Sequence, residues 1–169
     1  KPLLMSTGMA SEEEIHEALT AARDAGCNQI LLFHCISSYP APIEQANLKQ
    51  MISLKDKFDV AVGLSDHTIG NTAAITATAL GASAIEKHFT LSRKEKGPDS
   101  EFSIEPEELK DLIVQINDAW NGLGSISFNR PPAEQGSKVF RRSLYFVKDL
   151  KLGHVLTKHD IPRIRPGHG

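Results

Sequence analysis

Cysteine is scarce: 2 in 169 residues, at Cys27 and Cys35. That argues against a disulfide-stapled scaffold, and without CxxC spacing it argues against a thiolate metal site. Both are expected to be reduced thiols at the entry and exit of one strand. Long apolar runs are also missing, since nothing approaches the roughly 18 consecutive apolar residues of a membrane span. The opening stretch KPLLMSTGMA lacks the charged, apolar and cleavage regions of a secretory signal, so a cytoplasmic protein with no membrane partner is expected. Neither sign of charge dominates: 19 Lys and Arg face 21 Asp and Glu, for a net charge of −2. That balance carries no footprint for nucleic acid and leaves a small molecule as the expected partner. What is present is ordinary globular composition, with 40% hydrophobic residues, enough for a sizeable core.

A repeating unit organises the first two thirds of the chain. An amphipathic stretch stops at glycine, and a β-rich apolar run then leads into polar residues. Strands are predicted at 3–6, 29–35, 60–65 and 84–90, starting roughly 24 to 30 residues apart, as parallel strands with crossover helices require. Helices are predicted at 11–25, 47–58, 71–80 and 106–121. The first opens on Ser11-Glu12-Glu13-Glu14, a capping box, and stops at Gly26. After Gly122 the composition changes: GLGSISFNRPPAEQGS is rich in Gly, Pro and Ser and reads as a linker over 122–138. Residues 139–169 then read as a truncated β-rich module, with a strand at 143–147, a turn near Gly153 and an extended end at 161–165. Four βα units leave sheet edges open where eight would close, so residues 1–121 read as half of an α/β barrel, begun inside a strand.

In a βα barrel the chemistry sits at the C-terminal ends of the strands. Here those ends are Ser6-Thr7-Gly8-Met9, His34 to Pro40, Ser65-Asp66-His67-Thr68 and Glu86-Lys87-His88-Phe89-Thr90. Strand alternation puts Gly63, Ser65 and His67 on one face, and Ala84, Glu86 and His88 on one face of the next strand. Two imidazoles so placed suit a divalent ion with open positions, and equally suit hydrogen-bonded barrel histidines. Because imidazole ligates only when neutral, metal affinity should fall on acidification. Glu86, one layer below His88, is placed to orient a water or a sugar hydroxyl. His34, of opposite parity, and His154, in the last module, are expected to tolerate substitution far better than His67 and His88. Ser6, Ser37 and Ser65 are candidate donors to phosphate or carboxylate. Asp99, in the turn Lys96-Gly97-Pro98-Asp99-Ser100, is a candidate acceptor from sugar hydroxyls, or a residue of a plain surface turn. Tyr39 either packs on a sugar or braces the loop Pro40-Ala41-Pro42.

The ordered set STGMA, HCISSYPAP, GLSDHTIG, GASAIEKHFT, GPDSEFSIEP and RRSLYFVKDL followed by IRPGHG resembles the sialic acid synthase family over essentially the whole chain. Within that family, GPDSEFSIEP, SSYPAP and FRRSLY look closest to the pseudaminic acid synthases, with N-acetylneuraminate and legionaminate synthases as alternatives. The resemblance implies the C-terminal half of a (β/α)8 TIM barrel, a linker, and the start of a small antifreeze-like (SAF) domain. It implies condensation of phosphoenolpyruvate with an N-acetylated amino-sugar aldehyde, and a divalent metal (Mn, Mg or Co) on His67 and His88. It also implies phosphoenolpyruvate contacts from Ser6, Ser37 and Ser65, sugar contacts from Tyr39, Glu86 and Asp99, and a homodimer in which Arg165 reaches the partner's barrel. The position of Ser37 is often Asn in neuraminate synthases, a departure that bears on its contact. Two rival classes remain: a metal-dependent barrel hydrolase, which would want a third ligand where Asp66 has the wrong parity, and a non-catalytic sugar-binding module.

Overall fold

The structure is a computed structural model that describes residues 1–165; residues 166–169, the end of the predicted last module, lie outside the described residues. The chain divides into two compact units, Lys1–Gly124 and Ser125–Gly169. The first has the order β1 (Leu3–Ser6), α1 (Glu12–Asp24), β2 (Ile30–His34), α2 (Gln50–Phe58), β3 (Ala61–Asp66), α3 (Thr72–Ala79), β4 (Ile85–Lys87) and α4 (Pro106–Leu123). Its four strands form one parallel sheet in sequence order, β1-β2-β3-β4. This is the parallel half-barrel sheet expected of four consecutive βα units.

Local chemistry sets the element ends. The Glu14 N–H donates to Ser11 Oγ, and the Ser11 N–H donates to Glu14 Oε2, closing the predicted capping box. Gly26 follows at φ +84°, the left-handed conformation in which a chain leaves a helix most easily without a Cβ. In α4, Pro106 opens the helix and Glu105 and Glu108 cap it reciprocally. Strand alternation then sorts the sheet into two faces. Ile30, Leu32, Val62 and Leu64 point toward the helices and pack with Ile15, Leu19, Met51, Leu54, Phe58, Ala73 and Ala77 as one core. Alternate residues, from Leu4 and Ser6 through Phe33, Gly63 and Ser65 to Glu86, fall on the other face. There Gly63 is demanded by packing, because a Cβ would lie 2.7 Å from both the Phe33 ring and the Ala84 carbonyl.

Three boundaries differ from expectation. The strand predicted at 84–90 pairs with β3 only over Ile85–Lys87; beyond it Phe89 bridges Ile104, and the Thr90 N–H donates to the Ile104 carbonyl. The chain there exchanges its sheet partner for the segment leading into α4. The stretch predicted as a linker holds a 3-10 helix, Pro132–Phe140, introduced by Pro131-Pro132, whose fixed φ favours such a turn. Among the described residues of the second unit only Ser143–Leu144 (β5) and Arg163–Ile164 (β6) pair, as a short antiparallel ribbon. Beyond it, single bonds from the Tyr145 N–H to Pro162 O and the Val147 N–H to Asp160 O continue the contact irregularly. No helix among the described residues is long and apolar enough to cross a membrane.

Candidate active site at the strand ends

His67 and His88 each follow the last residue of a strand, β3 and β4, which pair in register with Ser65 opposite Glu86 and Asp66 opposite Lys87. Their ring centroids lie 5.2 Å apart in an edge-on arrangement. His67 is buried, and its Nδ1 is 2.8 Å from the Ile36 carbonyl oxygen. A carbonyl can only accept, so Nδ1 carries the hydrogen and Nε2 keeps a lone pair. Ser65 Oγ lies 3.3 Å from that Nε2 but donates to Glu86 Oε1 at 2.9 Å, and a hydroxyl has one hydrogen to give. In neutral His67 the Nε2 lone pair is therefore left without a donor. On His88 the Nδ1 faces Asp99 Oδ2 at 3.4 Å, which favours the same tautomer. Nitrogen lone pairs on two adjacent rings, each ring oriented from behind by an oxygen, are the donor set that a divalent ion takes. The residues present therefore fit a metal held by His67 and His88.

Loops close around this pair. The Tyr39 ring lies 4.3 Å from His67 and 5.7 Å from His88, centroid to centroid, and its loop is anchored where the Ala41 N–H donates to the His67 carbonyl. Phe102 stands 5.0 Å from His88 and 5.7 Å from Tyr39, completing an aromatic wall that the motif reading did not single out. The loop carrying Asp99 and Phe102 is stapled from within: Ser103 Oγ donates to Asp99 O, while Arg93 donates to Ser103 O and to Glu108. The Arg93 guanidinium holds the Glu108 carboxyl below the ordinary carboxylate range. Gly8 packs closely here, since a Cβ would come 2.5 Å from Ser37 Oγ and 2.8 Å from Cys35 Sγ and would displace those side chains. Burial pushes the Cys35 thiol up, with the Glu86 charge adding to it, so Cys35 stays protonated beside the site.

Of the residues predicted from sequence, Tyr39, Ser65, His67, Glu86, His88 and Asp99 come together through direct contacts. Ser6 ends β1, in register with Phe33, and Ser37 lies against Gly8 in the neighbouring loop. Arg165 is exposed in the second unit. Asp66 is buried and points away from the histidines, as its parity requires. Among the described residues no group of three or more His, Cys, Asp or Glu converges on one point. His34 and His154 lie outside this cluster. Buried His34 donates from Nε2 to Ala46 O at 2.8 Å, and His154 Nε2 lies 2.9 Å from the fully buried Asp160, so both hold structure. A cavity of about 580 Å³, bordered by Ala82, Ala84, Ile116 and Trp120, opens at the N-terminal end of β4, away from the histidines.

The family model described as NeuB family matches residues 1–127. The chain is 42% identical over 172 residues to N,N'-diacetyllegionaminic acid synthase of Campylobacter jejuni, covering 100% of this chain and 52% of that protein. It is 38% identical over 169 residues to pseudaminic acid synthase of the same species, covering 100% and 49%. The crystal structure of N-acetylneuraminic acid synthetase from Leptospira borgpetersenii superposes with a TM-score of 0.74 at 35% identity, over 80% of this chain and 47% of that one. The chain thus spans about half the length of the curated relatives it matches.

Proposed function

Because this chain belongs to the NeuB family, we propose that the protein carrying it condenses phosphoenolpyruvate with the aldehyde of an N-acetylated amino sugar, forming a sialic-type nonulosonic acid and releasing phosphate. The observation that supports this most is the pairing of His67 and His88, each with Nδ1 toward an oxygen, beside the Ser65–Glu86 hydrogen bond. A divalent ion (Mn, Mg or Co) on their Nε2 atoms would supply Lewis-acid polarisation of the aldehyde oxygen.

The chain's own residues do the rest. Ser6 and Ser37, at neighbouring strand ends, are placed to donate to the phosphate or carboxylate of phosphoenolpyruvate, while Ser65 stands beside them with its one hydrogen given to Glu86. Phosphoenolpyruvate C3 attacks the aldehyde carbon, water then adds at C2, and phosphate leaves with cleavage of its C–O bond. The Glu86 carboxylate, held by Ser65, accepts a hydrogen bond from that water or a sugar hydroxyl and orients it. Asp99 accepts from sugar hydroxyls, and Tyr39 with Phe102 offers an aromatic wall for the sugar beside the histidines.

The finer reading is pseudaminic acid as product. It draws on the resemblance of GPDSEFSIEP, SSYPAP and FRRSLY to the pseudaminic acid synthases. Overall identity orders the two Campylobacter relatives the other way, 42% against 38%, so this reading stands on those motifs and not on the whole sequence. The second unit is proposed as the start of an antifreeze-like domain that presents Arg165 to the partner barrel of a homodimer. Phosphate release by the full-length protein, with phosphoenolpyruvate and a panel of 2-acetamido and 2,4-diacetamido sugars, tests all of this. Release with a 2,4-diacetamido sugar of the pseudaminic configuration alone supports the finer reading. No release with any sugar contradicts the reaction.

A further inference from the structure

The backbone ladder between β3 and β4 ends at Asp66 and Lys87, one residue short of the two histidines. Beyond it the chains diverge, since Thr68 bridges Ala41 and Phe89 bridges Ile104. No strand pairing therefore holds His67 to His88. The last cross-link is instead made by side chains on the far face of the sheet. Lys87 Nζ donates to Asp66 Oδ2 at 2.8 Å and to the Thr68 carbonyl at 2.6 Å, so the residue before His88 grips both neighbours of His67. Asp66 Oδ1 accepts from the Thr68 N–H at 2.9 Å and the Thr68 hydroxyl at 2.7 Å, closing a loop around the backbone of His67. The two side chains are 3% and 0% exposed.

We infer that Asp66 and Lys87 are positioning residues that set the separation and aim of His67 and His88. Buried ion pairs are poor stabilisers, because the cost of taking both charges out of water offsets their attraction, and apolar replacements often serve stability as well. Geometry is what this pair supplies: two directional bonds from one ammonium, spanning the point where the ladder stops. Supporting groups behind ligating histidines commonly change metal affinity by about 10–100-fold when removed. The inference rests on His67 and His88 holding a divalent ion.

The test is Mn2+ titration of the full-length protein, following free Mn2+ by electron paramagnetic resonance, with thermal unfolding measured in parallel. Wild type and His67→Ala report on the metal reading itself: if wild type binds no Mn2+ that His67→Ala loses, that reading fails. If it binds, the double variant Asp66→Asn/Lys87→Met removes both charges at similar size, and Lys87→Arg keeps the charge but changes the shape of the donor. We expect the Mn2+ Kd to weaken at least tenfold in the double variant and several-fold in Lys87→Arg, with folded protein in both. Wild-type affinity in a folded double variant overturns the inference. Should the double variant fail to fold, wild-type affinity in Lys87→Arg overturns it equally.

Discussion

The two faces of one sheet divide the work of this chain. Toward the helices, Ile30, Leu32, Val62 and Leu64 are buried in an apolar core to which α1, α2 and α3 all contribute. On the opposite face, Ser65, Glu86 and the residues just past the strands carry hydroxyl, carboxylate and imidazole. The first face supplies apolar burial, and the second carries the residues proposed for chemistry. The second unit follows neither pattern. Among its described residues Asp160 alone is buried, ringed by Lys148, His154 and Thr157.

This division predicts opposite phenotypes. Leu32→Ala removes a fully buried side chain on the helix face and should cost about 2–5 kcal/mol of stability, measured by denaturant unfolding. Its soluble fraction should keep the wild-type phosphoenolpyruvate KM. The converse comes from Glu86→Gln, which keeps the shape at the open face. Turnover should fall by about a hundredfold or more while stability moves by less than about 1 kcal/mol. A destabilised, fully active Glu86→Gln would break the comparison.

The second unit extends it to pH. Lys148, then His154 and Thr157, hold the Asp160 carboxyl far below the ordinary carboxylate range. A group whose pKa is depressed on folding contributes stability above its unfolded pKa, about 3.9 for Asp, and loses it as pH falls below that value. Unfolding of this unit followed against pH should therefore show a loss beginning below about pH 4, with Asp160→Asn weaker at neutral pH and lacking that acid-dependent part. The smallest effect is expected at Lys57 and Glu12, an ion pair whose side chains are 49% and 55% exposed. Glu12→Gln should shift stability by less than about 1 kcal/mol, and less still at high salt.

Much of this division was legible in the sequence. Period-two alternation placed Ser65, His67, Glu86 and His88 on one face, and Ser11 with Glu14, like Gly26, marked the ends of α1 correctly. Side-chain reach was not legible. The bond from His67 to Ile36 O depends on how a loop returns, and Phe102 meets His88 only because Arg93 and Ser103 fold their loop back. The Asp66–Lys87 pair had a signal, since parity puts Asp66 and Lys87 together on the side opposite the histidines. From sequence alone that parity serves only to exclude Asp66 as the third ligand of a barrel hydrolase. The short β4 was hidden for another reason: Phe89 and Thr90 have good strand chemistry, and their partner, Ile104, lies in a segment with no strand pattern of its own.

The central claim is that His67 and His88 together hold one divalent ion on which turnover depends. Metal content by elemental analysis, measured beside phosphate release for full-length wild type, His67→Ala and His88→Ala after reconstitution with Mn2+, addresses it most directly. Wild type is expected to hold about one ion per chain, with metal and turnover lost together in each single variant, because one remaining imidazole is too few protein ligands. Near-normal metal and turnover in either variant would contradict it.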